Sequence, residues 1–317
     1  MGWPCRLELW GPVIEQARAD YAAVANAIAA FEPVTMIANP GADAAAARAA
    51  LSAAVDIVEL PIDDSWLRDS GPIYVVSGDV LLDTPSPRRT AIHFGFNAWG
   101  EKFTPWDKDA AVGALIAAQL GDEVATATLV LEGGSVISDG AGTLLTTEQC
   151  LLNPNRNPSM TRAEIEVALG THLGAERIIW LGDGLVEDLD TDGHVDLIAA
   201  YTPDRRVVLQ TVGEDNPNFA GCAENMRRLA AAGVEVIEMP YLPYVQVAGE
   251  QVAASYMNLY IANGALIVPV TGAETDGAAL ALLGSAFPGR EVVGVPGAVI
   301  AYGGGGPHCI TQQVPSR

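Results

Sequence analysis

The sequence predicts an α/β propeller of five units, each about 60 residues long, and two series of positions carry that reading. Four segments share an apolar-apolar-x-Thr pattern: "LLDT" ending at Thr84, "LLTT" at Thr147, "VLQT" at Thr211 and "VPVT" at Thr271. They lie 63, 64 and 60 residues apart. A second series, Asp69, Glu132, Asp196 and Asn258, runs at intervals of 63, 64 and 62. Its members stand 15, 15, 15 and 13 residues before their threonines, so the two series hold phase, and Cys309 follows Asn258 after 51 residues.

Each Thr-ended segment follows a glycine or aspartate turn signal and reads as a buried strand. Between strands lie Ala-rich stretches at 107–121, 161–174 and 222–233 with apolar residues at helical spacing. The first and third end near glycine, a common helix stop. One unit is then strand, strand, helix, strand. Five units account for the chain, and radial repetition brings one polar position per unit to a shared, acidic centre. The competing arrangement is an open parallel sheet of consecutive βα units, for which the sequence offers no glycine-rich phosphate turn.

Composition bounds the partners. The chain is 50% hydrophobic and 18% charged over 317 residues, a globular composition with ample material for a core. No apolar run approaches the roughly 20 residues that span a bilayer, and the start, "MGWPCRLELWG", lacks the pattern of a signal peptide. The cytoplasm is the default expectation. A net charge of −22 makes nucleic acid and anionic membranes poor partners and draws in a cationic ligand, although solubility or salt adaptation explains such a charge equally well. The four cysteines form no CxxC pair, which speaks against zinc and against a disulfide framework. Cys150 and Cys222 sit among apolar residues and read as core. Cys309, in "YGGGGPHCIT", does not.

The remaining motifs are weighed by their chemistry. "DLDTDG" (188–193) opens like a calcium loop, but Ala199 stands where the bidentate glutamate belongs. The four glycines before His308 match neither nucleotide-binding pattern. In "GHVD", a strand would point His194 and Asp196 to the same side. A metal site would need more ligands than His93, His172 and His308 offer, with His172 expected to face solvent from a helix, so no metal and no cofactor is expected. Trp66 beside Asp69 argues that this carboxylate is partly buried and seeks a cation. Each acidic position alone also fits a surface carboxylate; their shared phase raises them together. A thiol is mostly protonated at pH 7. One unit charge about 4 Å away is worth roughly 4 kcal/mol at an effective dielectric of 20, or about three pKa units. The chain supplies few cations near Cys309, so the ligand is expected to supply one. A planar guanidinium gripped by two carboxylates fits, with its carbon open to a thiolate.

The motifs "SWLRDSGP", "FNAWGEKFTPWDKD", "LEGGSVISDGAGTLLTTEQCLLNPNRNP", "DTDGHVD", "SYMNLYIANGALIVP" and "GGGGPHCITQQVP" resemble the agmatine deiminase family of the guanidino-modifying superfamily, over nearly the whole chain. The resemblance implies a five-bladed pseudosymmetric α/β-propeller and one catalytic domain over residues 1–317. It implies hydrolysis of agmatine to N-carbamoylputrescine and ammonia through a covalent cysteine intermediate, in putrescine synthesis. By motif, Cys309 resembles the nucleophile, His194 the general acid/base, and Asp69 and Asp196 the guanidinium-binding carboxylates. Glu132, Asn258 and Trp66 match supporting positions, and Asp190 and Asp192 are candidates for the distal pocket. The glycines then read as a site loop, anchored by the "CITQQ" that follows. The chain departs from the family at Leu197, where Asn is common, and at Pro307, where an aliphatic residue is usual. The family also carries further residues ahead of Trp3-Pro4, so the expectation is either that the true start lies upstream or that a first strand is missing. Rival readings are a deiminase of arginine or peptidyl arginine, and a non-catalytic guanidine or polyamine binder. The expected partner is a small cationic guanidine, with a homo-oligomer left open.

Overall fold

The computed structural model describes residues 1–77 and 88–316. Four sheets repeat one topology. In the first, β3 (Ile73–Ser77) lies antiparallel to β4 (Arg88–Gly95), the helix Asp107–Leu120 crosses over, and β5 (Glu123–Val130) returns parallel to β4. The same order recurs in β6 (Val136–Ser138), β7 (Thr143–Thr147), the helix Arg162–Leu173 and β8 (Arg177–Leu181). It recurs in β9 (Ala199–Tyr201), β10 (Val207–Gln210), the helix Phe219–Ala231 and β11 (Val236–Met239). A hairpin of β12 (Tyr244–Val247) and β13 (Glu250–Ala253) precedes the last, built from β14 (Tyr260–Ala262), β15 (Ala265–Val270), the helix Asp276–Ala286 and β16 (Glu291–Pro296). The chain's first unit is smaller: β1 (Val34–Ala38) and β2 (Val55–Glu59) pair in parallel around the helix Ala42–Ala50. The strand, strand, helix, strand unit is therefore present, within a mixed α/β fold.

The middle strands are the buried ones, as the Thr-ended segments predict. All four residues of β10 are buried, as are five of the six in β15, because both faces are covered. Thr84 lies outside the described residues; the middle strand of its sheet is Arg88–Gly95. The helices end where the sequence says. Gly121 and Gly174 take left-handed conformations as C-caps, and Thr161 with Glu164 forms a capping box. The third begins at Phe219, three residues before the expected start.

The apolar clusters lie between successive units. Ile92, Phe94 and Leu129 pack with Leu144 and Trp180; Leu145 and Leu181 with Val207 and Leu209; Val208 and Met239 with Leu266 and Val268. Ile37 of β1 meets Val112 of the helix Asp107–Leu120. The largest cluster joins β15 and β16 to β1 and the N-terminal helix Ile14–Ile28, through Trp10, Trp66 and Met36. Each pair of neighbouring units is thus sealed by its own core, and the segments that precede the strands are left to converge.

Candidate active site

Four such segments do converge, together with the one after the last strand that carries Cys309. Asp69 sits on a single helical turn, Leu67–Ser70, and is more than partly buried, at 4% exposed. Its Oδ1 accepts a hydrogen bond from the Gly134 amide at 2.9 Å and its Oδ2 one from the Trp99 indole at 3.0 Å. Trp99 reaches it from left-handed backbone, φ 55°, in a run of positive φ angles that begins at Ala98. Oδ1 of Asp69 also lies 3.9 Å from Nδ1 of His194. Gly134 must be glycine here: a Cβ would stand 2.6 Å from His194 Nδ1 and 2.9 Å from both Asp69 and Asp196.

His194 and Asp196 both enter the site, but on a 3₁₀ turn, Val195–Leu197, instead of a strand. The cause is Asp188, whose carboxylate accepts from the amides of Thr191, Gly193 and His194 and from the Thr191 hydroxyl. The "DLDTDG" motif is therefore the scaffold of the His194 turn. Thr147 ties the turn to the second unit by donating to the Gly193 carbonyl at 2.6 Å.

Cys309 is 3% exposed. Asn258 clamps it twice: Nδ2 donates to Sγ at 3.1 Å, and Oδ1 accepts from the Cys309 amide at 3.2 Å. Sγ lies 3.5 Å from Asp196 Oδ2, which also accepts from His308 Nδ1 at 2.7 Å. The glycine run lets the chain come this close; a Cβ on Gly305 would meet Cys309 and Trp66 at 2.8 Å. The "CITQQ" segment is held by Gln312, which accepts from Arg68 at 2.6 Å and donates to the Pro72 carbonyl at 2.7 Å.

The charges are arranged for a cation. Burial, then Asp196 and Asp69, push the Cys309 thiol well above its ordinary pKa. Burial works against a charged His194 ring, but Asp69, Cys150 and Glu132 outweigh it and raise its pKa well above the usual value. Burial lifts the Asp69 carboxyl to about 6, against the pull of His194. Burial also opposes ionised Asp196, yet the His308 hydrogen bond holds its pKa below the ordinary value. A cation placed among these groups would relieve the carboxylates and the thiol together.

A cavity of about 20 Å³ opens beside Cys309, lined among others by Trp66, Asp69, Trp99, Phe103, Asp190 and Thr191. It holds about one water. Asp190 thus lines the cavity that holds Cys309. Asp192 does not line this cavity: its carboxylate is held by Arg156 at 2.8 Å, Lys102 at 2.7 Å and Asn155 at 2.9 Å. Glu132 lies behind His194, fully buried, paired with Arg156 Nε at 2.5 Å and 4.0 Å from His194 Nε2. Asn258 touches Cys309 rather than the cavity.

Several partners went unread in the sequence. Cys150 is buried as expected, but beside His194, its sulfur within 4.8 Å of a ring nitrogen. Arg156 and Trp99 lie in quoted motifs without any spacing that assigns them a partner. His172 is half-buried, edge-on to Phe94 at 5.8 Å. Glu132, Cys150 and His194 bring one potential metal-ligand atom each within 4.8 Å of one another. Among the described residues no helix is long and apolar enough to cross a membrane.

Fold and site define a class, hydrolases that act on C–N bonds. A model of the Porphyromonas-type peptidyl-arginine deiminase family matches residues 1–315, and the chain belongs to that family. An agmatine deiminase of Pseudomonas fluorescens is 40% identical over 100% of this chain and 92% of its own length. A solved agmatine deiminase of Enterococcus faecalis superposes with a TM-score of 0.92 at 31% identity, covering 100% of this chain and 92% of that one. A C. jejuni agmatine deiminase variant solved with substrate bound superposes with a TM-score of 0.87 at 28% identity, over 97% and 90% of the two chains.

Proposed function

We propose that the chain is an agmatine deiminase, converting agmatine and water to N-carbamoylputrescine and ammonia. The observation that carries this reading is a buried thiol held within 3.5 Å of one carboxylate, with a second carboxylate, a histidine and a cavity beside it. Asp69 and Asp196 grip the guanidinium through paired hydrogen bonds. The arriving positive charge lets the Cys309 thiol release its proton to water, because the same carboxylates that disfavour a lone thiolate are neutralised. The thiolate bonds to the guanidinium carbon, and His194 gives its proton to the departing nitrogen, which leaves as ammonia. His194 then takes a proton from water as the oxygen attacks the same carbon. The adduct collapses to the ureido product and frees the thiolate. Trp66 packs along the substrate, Glu132 steadies the His194 charge, and Asn258 aims Sγ.

The distal end of the substrate selects among guanidines. Among the described residues, the cavity lining includes Asp64, Asp69 and Asp190 and neither lysine nor arginine. An amine is welcomed there and a carboxylate repelled, which favours agmatine over arginine. Asp192 supports this wall indirectly, through Lys102, which also donates to the Asp190 carbonyl at 3.0 Å.

The reading includes a five-bladed propeller in one domain over residues 1–317. It is supported by cores between successive units, including one between the last and the first, and by site residues from Trp66 to Cys309. A reduced nucleophile suits a reducing compartment, so the cytoplasm is part of the reading. The test is Cys309→Ala. Ammonia release from agmatine falls by more than about 10⁴-fold, while calorimetry still detects agmatine binding. Undiminished turnover would contradict the mechanism.

A further inference from the structure

A second cavity, about 340 Å³, lies behind the site. Its lining joins the surface to the chemistry: Ser138 and Gln313 are exposed, whereas Arg68, Gly133 and Asp196 are buried and His308 is 16% exposed. It shares no lining residue with the small cavity that holds Cys309 and Asp190. The wall between the two is one side chain thick. Asp196 Oδ2 is 2.7 Å from His308 Nδ1 on one side and 3.5 Å from Cys309 Sγ on the other.

The chemistry needs a second way in. On the proposed reading, one ammonia leaves and one water enters while the substrate's carbon is bonded to Cys309. The alkyl-amine tail then lies along Trp66 towards Asp190 and occupies the front cavity. The wall toward the rear is polar enough to pass small hydrogen-bonding molecules. Among the described residues Asp196 Oδ1 and Arg68 Nη2 are buried without a hydrogen-bond partner, and His308 is linked to Asp196.

We infer that the rear cavity is the port through which ammonia leaves and water enters during turnover, with the Asp196–His308 pair as its threshold. This rests on the deiminase reading. The port passes small neutral molecules only, because a guanidine cannot cross the Asp196–His308 contact.

The test plugs the outer end, away from the catalytic residues. Ser138→Trp and, separately, Gln313→Trp are each compared with wild type and with Ser138→Ala. The port predicts that either tryptophan lowers kcat about tenfold without raising KM, and that Ser138→Ala changes neither. Agmatine binding to the Cys309→Ala form carrying Ser138→Trp stays unchanged, which separates a plugged port from a damaged front site. Unchanged kcat in both tryptophan variants overturns the port, and so does a rise in KM at constant kcat. Wild type that releases no ureido product overturns the deiminase reading and the port with it.

Discussion

Asn258 does for Cys309 what no charged residue could do without perturbing the site. It donates to sulfur and accepts from the same residue's amide, so a single side chain sets the position of the nucleophile. Asn258→Ala removes both bonds, each worth about 1 kcal/mol, and should lower kcat about 10-fold or more while leaving KM near wild type. A rise in KM alone would place Asn258 on the substrate instead. Cys150 makes a parallel case beside His194. Its contact raises the histidine's pKa, so Cys150→Ala should move the alkaline limb of kcat/KM to lower pH, where His194 loses the proton it must donate. An unmoved limb would return Cys150 to the role of packing. Asp69, Glu132, Asp196 and Asn258 were legible because they recur at one phase of the repeat. Cys150 was not, since its burial is read from apolar neighbours while its partner comes from another unit.

Among the elements, the informative failure is the turn around His194. A strand was expected over "GHVD", yet the side-chain oxygens of Asp188 capture the amides of Thr191, Gly193 and His194 and lead the chain into a 3₁₀ turn. Helix ends fared better, because a glycine stop such as Gly121 acts locally and needs no tertiary partner. Behind the turn, Arg156 joins Glu132 to Asp192 with a fully buried guanidinium. Arg156→Met leaves Glu132 buried and uncompensated, and should cost about 3–5 kcal/mol in urea unfolding. A loss below 1 kcal/mol would show that the network relaxes. Asp109, in the first turn of the helix Asp107–Leu120, reports on pH. Burial lifts its carboxyl to about 7 even though it accepts from the amides of Asp63 and Asp64. The folded chain then holds a proton that the unfolded chain releases near 3.9, so this group's stabilisation is full below about pH 4 and lost as pH rises to about 7. Asp109→Asn should raise Tm by an amount that is near zero at about pH 4, grows through that window and levels off above it. A difference independent of pH would contradict this.

At the scale of the molecule, the repeat is the reason a site can form from residues spread over most of the chain. Each unit buries its strands against the next; the segments ahead of the four larger units each contribute one polar group to a common point, and the segment after the last contributes Cys309. The 60-residue phase was readable because it is written in pairs of positions. The sealing of the last unit onto the first was not, since it depends on Trp10, Trp66 and Met36 meeting β15 and β16 across the chain. The net charge of −22 acts at this scale too, drawing cations toward the acidic centre, so kcat/KM for agmatine should fall as ionic strength rises. The distal wall decides which cation is processed, and it can be asked directly. Agmatine, arginine and an arginyl peptide are incubated separately with the purified chain, and ureido product and ammonia are measured. A carboxylate set against Asp190 costs several kcal/mol, so kcat/KM for agmatine should exceed that for arginine by about 100-fold or more. Arginine or the peptide turned over as fast as agmatine would contradict the account.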